Sequence, residues 1–318
     1  MQITVLDGYT LNPGDNPWAE VAALGALTVY DRTPAAEIMA RAGPAEVLLT
    51  NKTPLTARTL AGLPRLKFIS VLATCCNVVD LAAARERGIP VSNVPEYGTE
   101  SVAQFVFALA LAGCRRVERH DQLVRQGEWQ KRGDFCFWEN PQVELSGKRM
   151  GVVGFGRIGR RVGQLANAFG MEVMAFDLFR GPAPAYTPFA WKTLEEVFAQ
   201  PDFISLHCPQ TAQNVGFVNR QLLARMKPTA WLINTARGGL VNECDLADAL
   251  NAGVLAGAAL DVLGAEPVSA DNPLLTARNC LLTPHIAWAT TEARRRLMKA
   301  TAANIAAFLQ GQPINVVN

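Results

Sequence analysis

The sequence has no excess of charge of either sign, since its 318 residues include 30 Lys and Arg against 28 Asp and Glu. A chain without a basic surplus gives no electrostatic reason to expect a nucleic acid or an acidic membrane as partner. Its longest apolar run, Val102 to Cys114, is shorter than the roughly 20 residues that cross a bilayer. The N-terminal MQITVLDGYT lacks the features of a signal peptide. We therefore expect a cytoplasmic protein, without membrane or nucleic-acid contacts, whose partner is a small molecule.

Cysteine and histidine are few and irregularly placed. Seven cysteines, an odd number, do not form a disulfide framework and suit a reducing compartment. The adjacent pair Cys75 and Cys76 has no cluster of His, Cys or acid nearby at ligand spacing, so no metal site is expected. A disulfide between neighbouring residues would be strained. The three histidines, His120, His207 and His285, can each be considered separately.

A length of 318 residues exceeds what one hydrophobic core usually holds, so two domains are expected. The first hundred residues alternate five β-rich runs, ITVLD, LTVYD, EVLLT, KFISV and PVSNV, with helical or loop stretches. The stretch VVDLAAARERG before the fifth run has helical content and ends at Gly88, a common helix stop. This alternation predicts a parallel sheet with helices on its faces.

A long helix is predicted from Thr99 to about Gln126, apolar in its first half and charged in its second. It is long enough to join two domains. The next segment, residues 127–148, carries aromatic side chains without clear periodicity: Trp129, Phe135, Phe137 and Trp138. Such a segment either packs on its own domain or docks on a second subunit.

The second half of the chain contains six β-rich runs, RMGVVGFG, MEVMAFD, FISLHC, AWLINTA, LAGAALDV and CLLTPH. Helical stretches separate them, which predicts a six-stranded doubly wound sheet. The fold class expected for the whole chain is therefore α/β, with two doubly wound parallel sheets. A final helix, TEARRRLMKATAANIAAFLQG, is expected to return to the first domain.

The stretch VVGFGRIG places Gly154, Gly156 and Gly159 in the G-x-G-x-x-G spacing, between a predicted strand and a predicted helix. These glycines allow, in order, a tight turn, the approach of a pyrophosphate to the backbone, and close packing of helix on strand. Asp177 ends the next strand, where it can bind the adenosine ribose and disfavour the 2′-phosphate of NADP. Arg180 favours NADP instead, because a guanidinium can accommodate that phosphate. NAD is therefore expected, and NADP is the less favoured alternative.

Three polar residues, Arg237, Glu266 and His285, follow predicted strands on the side where open α/β sheets bind ligands. Histidine exchanges protons near neutral pH, and a carboxylate such as Glu266 would favour its protonated form. His120 lies in the charged half of the long helix and is expected to be solvated. His207 ends a strand near the cofactor crevice but has no evident acid partner. The set of three therefore predicts an acid and base site beside the dinucleotide.

The sequence resembles the D-isomer-specific 2-hydroxyacid dehydrogenases nearly from end to end. The motifs that carry the resemblance are GIPVSNVPEYGTESVAQFVFAL, GVVGFGRIGR, NTARGGLVNE, GAALDVLGAEP and NPLLTARNCLLTPHIAWAT, in that order. The resemblance implies reduction of a small 2-keto acid to the D-2-hydroxy acid. Protonated His285 would give its proton to the keto oxygen, Glu266 would orient and charge that His, and Arg237 would hold the substrate carboxylate.

The resemblance also implies a layout for the whole chain. Residues 1–99 with 286–318 form a flavodoxin-like substrate domain, residues 100–285 form the NAD-binding Rossmann domain, and closure between them excludes water. A homodimer forms through the long helix and the aromatic segment, which brings Trp138 toward the partner's active site. The implied cofactor-binding residues are Gly154, Gly156, Arg157, Ile158, Gly159, Asp177, His207, Thr235, Ala236 and Asp261, the last near the carboxamide.

The motifs PHIAWAT and FWENP are most similar to those of the glycerate dehydrogenase or hydroxypyruvate reductase branch. Hydroxypyruvate or glyoxylate is then the expected substrate. Two alternatives remain open: an NAD(H)-sensing binding protein on the same fold, and a dehydrogenase of the family that acts on phosphoglycerate, lactate or a branched 2-keto acid.

The segment LATCCNVVD departs from the family pattern. The resemblance implies that Thr74, Cys75 and Cys76 bind the substrate, the carboxylate being held by backbone N–H groups. A glycine is usual where Cys75 stands, and Cys76 replaces what is often a bulky residue. A cysteine with positive φ would cost about 1 to 2 kcal/mol, so we expect a relaxed loop and a pocket of different shape.

Overall fold

The computed structural model describes residues 1–318. The chain divides into two compact units. The first unit consists of Met1–Gly98 and Trp288–Asn318, and the second unit consists of Thr99–Ala287.

The first unit is built on a parallel five-stranded sheet of order β2-β1-β3-β4-β5, which is the flavodoxin-like order. This confirms the α/β, flavodoxin-like prediction. The strands are β1 (Gln2–Val5), β2 (Ala26–Val29), β3 (Val47–Thr50), β4 (Phe68–Val71) and β5 (Val91–Ser92). Short helices connect them: α1 (Ala19–Ala22), α2 (Ile38–Ala42) after a 3-10 turn at Ala35–Glu37, α3 (Ala57–Ala61) and α4 (Leu81–Glu86).

The second unit begins with three helices, α5 (Thr99–Arg115), α6 (Val117–Arg125) and α7 (Glu128–Arg132). Seven parallel strands follow: β6 (Arg149–Val153), β7 (Glu172–Phe176), β8 (Phe189–Trp191), β9 (Phe203–Leu206), β10 (Trp231–Asn234), β11 (Gly257–Leu260) and β12 (Cys280–Leu282). Their order, β12-β11-β10-β9-β6-β7-β8, is that of a Rossmann sheet. Between them lie α8 (Arg157–Ala168), α9 (Leu194–Ala199), α10 (Arg220–Leu223), α11 (Glu243–Asn251) and two 3-10 turns, Gly238–Leu240 and Pro273–Leu275.

The last helix, α12 (Thr291–Leu309), belongs to the first unit. Its buried Arg294 donates hydrogen bonds to Asp15 and to the carbonyl oxygen of Leu11, which fixes the loop after β1. Beyond the helix, residues 314–318 run antiparallel to β5, with a bridge between Ser92 and Val316. This pairing covers the edge of the sheet.

Both sheets are covered by apolar side chains on both faces. In β3, Leu48 packs in one core, while Val47 and Leu49 pack in the core on the opposite face. This alternation follows from the twofold period of a strand, and each fully buried large side chain contributes roughly 1.5–3 kcal/mol. In the second unit, Leu232 and Ile233 of β10 likewise belong to opposite cores. The packed strands therefore give a rigid base to the polar loops that follow their carboxyl ends.

Two predictions about the second unit are wrong. The helix predicted from Thr99 to Gln126 ends at Arg115, because Arg116 has the left-handed conformation (φ 47°) and its guanidinium donates to Asn279 Oδ1 at 2.7 Å. The sheet has seven strands rather than six. The unpredicted strand β8 is only three residues long and lies at the edge of the sheet, so its sequence carries too little periodicity to detect.

His120 is not solvated, contrary to the prediction. It is half-buried on α6, where Nδ1 lies 2.9 Å from the carbonyl oxygen of Arg116 and the ring packs against Phe137. Its Nε2 accepts a longer hydrogen bond, 3.4 Å, from the backbone N–H of Glu139. The imidazole therefore attaches the aromatic segment to α6, a tertiary contact that the helix pattern does not show.

Candidate active site

The predicted site residues of the second unit follow six of its seven strands. Because neighbouring parallel strands end at the same sheet edge, the loops after them meet there. Gly154 follows β6, Asp177 follows β7, His207 follows β9, Thr235, Ala236 and Arg237 follow β10, Asp261 and Glu266 follow β11, and His285 follows β12.

At two positions of the glycine-rich loop, a side chain would collide with the backbone of the protein. Gly154 has φ +91°, and a Cβ there would stand 2.4 Å from the backbone nitrogen of Cys208. A Cβ on Gly159 would stand 2.1 Å from the carbonyl oxygen of Gly154, so α8 can approach β6 only without it. A Cβ on Gly156 would meet no protein atom within 4 Å. This open position at the N-terminus of α8 fits a pyrophosphate that approaches the backbone.

The Asp177 carboxylate is held beside this loop. Its Oδ2 accepts the backbone N–H of Phe155 at 2.6 Å, and its Oδ1 accepts that of Phe179 at 2.9 Å. The Arg180 guanidinium points toward β8, where it donates to the carbonyl oxygen of Lys192 at 3.3 Å and lies 5.9 Å from the ring of Trp191. The Asp177 carboxylate therefore has a fixed position beside the glycine-rich loop.

His207 is fixed next to the glycine-rich loop. Its backbone N–H donates to the carbonyl oxygen of Val153, and its Nε2 lies 2.8 Å from Ser205 Oγ. Burial lowers the pKa of this imidazole to about 3, so the ring is neutral at physiological pH. Burial also raises the pKa of the Cys208 thiol to about 11. Neither side chain is suited to proton transfer in this site.

The turn after β10 carries Arg237 and is clamped by Asn234, a residue that the sequence patterns did not single out. Asn234 is fully buried; its Oδ1 accepts the N–H of Ala236 at 3.0 Å, and its Nδ2 donates to the carbonyl oxygen of Arg237 at 2.9 Å. The only available signal was a polar residue ending an apolar strand. The hydroxyl of Thr235 is buried without a hydrogen-bond partner, which suits a residue that awaits a polar ligand.

His285 and Glu266 form a hydrogen-bonded pair. Nδ1 of the imidazole lies 2.6 Å from Oε2 of the carboxylate, which is a short hydrogen bond. Glu266 Oε1 also accepts the backbone N–H of Leu263 at 3.3 Å. The side chains of His285 and Glu266 are 27% and 39% exposed, so a ligand can reach them. Since Nδ1 faces the carboxylate, Nε2 is the nitrogen that can exchange a proton with a substrate.

Asp261 holds His285 in place. The residue is 1% exposed, and its carboxylate accepts hydrogen bonds from Thr283 Oγ1 at 2.6 Å, Ile286 N at 2.9 Å and Ala287 N at 2.8 Å. Its carbonyl oxygen accepts the N–H of His285 at 2.8 Å. These bonds on both sides of His285 sustain its left-handed backbone (φ 56°), a conformation that costs a non-glycine residue about 1–2 kcal/mol. That Asp261 also approaches a carboxamide stays a prediction.

The predicted substrate loop lies in the first unit, after β4. Thr74 Oγ1 donates to the carbonyl oxygen of Val94 at 2.9 Å, and Asn93 Nδ2 donates to that of Thr74 at 2.8 Å. Cys75 is exposed and is not among the residues with positive φ, which agrees with the relaxed loop that the sequence predicts. Cys76 is half-buried against the core, and burial raises the pKa of its thiol to about 11. A protonated thiol is a poor nucleophile.

Metal-binding clusters and membrane-spanning helices are both absent from residues 1–318. No group of three or more His, Cys, Asp or Glu side chains is arranged to hold a metal ion. None of the helices has the length and apolar character needed to cross a membrane.

Comparison with known proteins shows similarity over the whole chain. The family model described as D-isomer specific 2-hydroxyacid dehydrogenase, NAD binding domain, matches residues 107–287. A hydroxypyruvate reductase from Blautia hydrogenotrophica is 48% identical over 321 aligned residues, which cover 100% of both chains. A glycerate dehydrogenase from Methylorubrum extorquens is 40% identical over 283 residues, which cover 88% of each chain.

Solved structures of similar proteins contain either nicotinamide cofactor. An acyclic imino acid reductase in complex with NADPH and D-Arg has 30% identity and a TM-score of 0.84, with 100% of both chains covered. A D-lactate dehydrogenase from Aquifex aeolicus complexed with NAD and lactic acid has 27% identity and a TM-score of 0.83, again with 100% of both chains covered. The fold is therefore compatible with both dinucleotides.

Proposed function

The chain belongs to the D-isomer specific 2-hydroxyacid dehydrogenase family, as its sequence motifs predicted, and from this premise we propose that it reduces hydroxypyruvate to D-glycerate with NADH. Glyoxylate is the second expected substrate. The observation that carries the proposal is the 2.6 Å contact between His285 and Glu266 at the sheet edge where Arg237 also lies. The first unit is the proposed substrate domain, with Thr74, Cys75 and Cys76 as substrate ligands, and the second unit is the proposed cofactor domain.

His285 supplies the proton in this proposal. Glu266 stabilises the imidazolium through Nδ1, which leaves the Nε2–H directed to the keto oxygen as the alcohol forms. When bound, the nicotinamide supplies the hydride that reduces the keto carbon. In the oxidative direction neutral His285 accepts the proton of the hydroxyl group. Reduction therefore requires the protonated ring and falls with rising pH, whereas oxidation requires the neutral ring and falls with decreasing pH.

Arg237 binds the substrate carboxylate in the proposal. Its planar guanidinium offers parallel N–H donors that match a carboxylate and can polarise the neighbouring carbonyl. Asn234 binds the backbone of this residue, and the guanidinium donates to the carbonyl oxygen of Ala236 at 2.5 Å. Preorganised donors of this kind stabilise the charge that develops on oxygen during the reaction.

NADH rather than NADPH is the proposed cofactor. The Asp177 carboxylate is fixed at the end of β7, where a 2′-phosphate would face a like charge. The Arg180 guanidinium, which could offset that repulsion, already contacts Trp191 and the carbonyl oxygen of Lys192. Gly156, with open space at its Cβ position, and Thr235, with its unpartnered hydroxyl, are the residues whose surroundings best fit a bound dinucleotide.

A panel of 2-keto acids tests the proposed function. We expect hydroxypyruvate to give the highest kcat/KM among hydroxypyruvate, glyoxylate, pyruvate, a branched 2-keto acid and 3-phosphohydroxypyruvate, measured by NADH absorbance. With hydroxypyruvate, NADH should exceed NADPH in kcat/KM by at least about tenfold, because facing like charges costs several kcal/mol. NADH binding without turnover of any substrate would instead support the NAD(H)-sensing alternative.

The proposed assembly is a homodimer in the cytoplasm. Large apolar side chains of α6 and the aromatic segment are exposed: Val117 by 70%, Phe135 by 90% and Trp138 by 60%. Exposed apolar side chains grouped in this way usually mark a protein–protein interface. The cytoplasmic location is proposed because all seven cysteines are free thiols.

Sedimentation equilibrium tests the dimer. The wild-type protein should show twice the 34.4 kDa mass of one chain. The double variant Val117→Asp, Trp138→Asp should sediment as a monomer, because it places two charges in the patch. Val215→Asp is a matched control, since Val215 is also exposed, by 59%, but lies outside α6 and the aromatic segment. A monomeric wild type would refute the assembly.

A further inference from the structure

Glu243, the first residue of α11, contacts the loop that carries Glu266 at two points. Its Oε1 accepts the backbone N–H of Gly264 at 2.7 Å, and its Oε2 accepts Asn272 Nδ2 at 2.8 Å. Gly264 precedes Glu266 by two residues and Asn272 follows it by six. One carboxylate therefore binds both sides of the loop segment from which Glu266 extends.

The loop that carries Glu266 is not anchored by buried apolar side chains. Residues 264–271 are all exposed and contain no helix or strand. Asn272 links the loop to the protein interior: its Oδ1 accepts the N–H of Leu274, which is 1% exposed in the following 3-10 turn. The Glu243 bonds thus join the loop to α11 on one side and to this anchored turn on the other.

We propose that Glu243 is a positioning residue that keeps the Glu266 carboxylate on Nδ1 of His285. The inference rests on the proposed function, because it assigns Glu243 a role only through that pair. If the loop drifts, the Glu266 carboxylate leaves hydrogen-bond distance of Nδ1 and stabilises the imidazolium less well. Asp261 is the other charged group that binds the His285 turn, where its carboxylate accepts the N–H of Ile286.

The geometry requires a carboxylate at this position rather than an amide. Both groups that Glu243 binds are N–H donors, so the side chain must accept twice. A glutamine of the same shape accepts once and turns its NH2 group toward the second donor. A negative charge in the first turn of α11 is also favoured by the helix dipole.

The first arm of the test compares Glu243→Gln with Asp248→Asn, a matched control on the same helix. The Asp248 carboxylate pairs with Arg220 at 2.8 Å and is remote in sequence from the loop. For Glu243→Gln we expect kcat for hydroxypyruvate reduction to fall by about tenfold or more, since displacement of a catalytic group by 1 Å costs up to about a hundredfold. The pH at which kcat is half-maximal should also decrease. Asp248→Asn should match the wild type in both measurements.

The second arm restores both contacts with a different pair of side chains and is read out by the pH profile, which a merely structural role would not move. In Glu243→Gln with Asn272→Asp, the glutamine oxygen can accept Gly264 N–H while its NH2 group donates to the new carboxylate. The carboxylate introduced by Asn272→Asp retains an oxygen that can accept the N–H of Leu274. We expect the double variant to recover the wild-type pH profile and most of kcat. Failure of the rescue, or a wild-type pH profile in Glu243→Gln, would overturn the inference.

A third variant separates this inference from the proposed function. Glu266→Gln removes the carboxylate itself and should lower kcat and shift the pH profile more than Glu243→Gln does. If Glu266→Gln has these effects and Glu243→Gln has none, the positioning role is wrong and the proposed function stands. If Glu266→Gln leaves the pH profile unchanged, the proposed role of the pair is wrong and the positioning role falls with it.

Discussion

Replacement of His285 by alanine is expected to lower kcat for hydroxypyruvate reduction by a factor of about 10²–10⁴, because the keto oxygen loses its proton donor. NADH should still bind with an affinity within about twofold of the wild type, since the glycine-rich loop and Asp177 are held by bonds that do not involve His285. Steady-state kinetics measure the first effect, and titration of NADH fluorescence measures the second.

The alanine variant separates catalysis from binding. A variant that loses both turnover and NADH affinity would point to a disturbed fold, which a change in melting temperature would reveal. A variant that keeps more than about a tenth of kcat would contradict the assigned role, because general acid catalysis contributes at least about a hundredfold.

Replacement of Arg237 by lysine is expected to lower kcat/KM for hydroxypyruvate by about 10²–10³, in the range measured when one preorganised donor is removed from a reacting oxygen. Lysine keeps the charge but cannot offer two parallel N–H groups to a carboxylate. The fold should tolerate the change, because Asn234 binds the backbone of residue 237 rather than its side chain. Kinetics with hydroxypyruvate and a melting curve test both statements.

Arg220→Lys is the matched control for this substitution. Arg220 is 72% exposed and pairs with Asp245 and Asp248 away from the site, so its replacement should leave kcat/KM unchanged. If kcat/KM of Arg237→Lys stayed within about threefold of the wild-type value, a single positive charge would suffice to bind the substrate carboxylate. The bidentate role of Arg237 would then be refuted.

Most of the fold could be predicted because apolar strands and helical stretches alternate clearly along the chain. The same pattern predicted where the candidate site residues lie, since Asp177, Arg237 and His285 each follow an apolar strand and parallel strands end at one edge. Two features escaped prediction, each for a different reason. The strand β8 is too short for a periodic pattern, and the break at Arg116 depends on a contact with Asn279, which is distant in sequence.

The residues that hold the proposed catalytic groups in place could not be predicted in the same way. Asp261 binds the turn around His285 across 25 positions, and Glu243 binds the Glu266 loop from α11. Such bonds link segments that are far apart in sequence, so no spacing in the sequence reveals them. At Cys75 the family pattern was misleading. It indicated a backbone conformation that favours glycine, but φ of Cys75 is not positive, so the loop after β4 has a conformation that any residue can adopt.

Hydride transfer from NADH to the keto carbon of hydroxypyruvate, with His285 protonating the oxygen, is the central step of the proposed reaction. Its most direct test is reaction of hydroxypyruvate with NADH that carries deuterium at the transferred position of C4, followed by mass spectrometry and chiral analysis of the product. We predict one deuterium at C2 of D-glycerate for each NADH consumed. Glycerate without deuterium at C2, product of the L configuration, or no product from an enzyme that binds NADH would contradict this reaction.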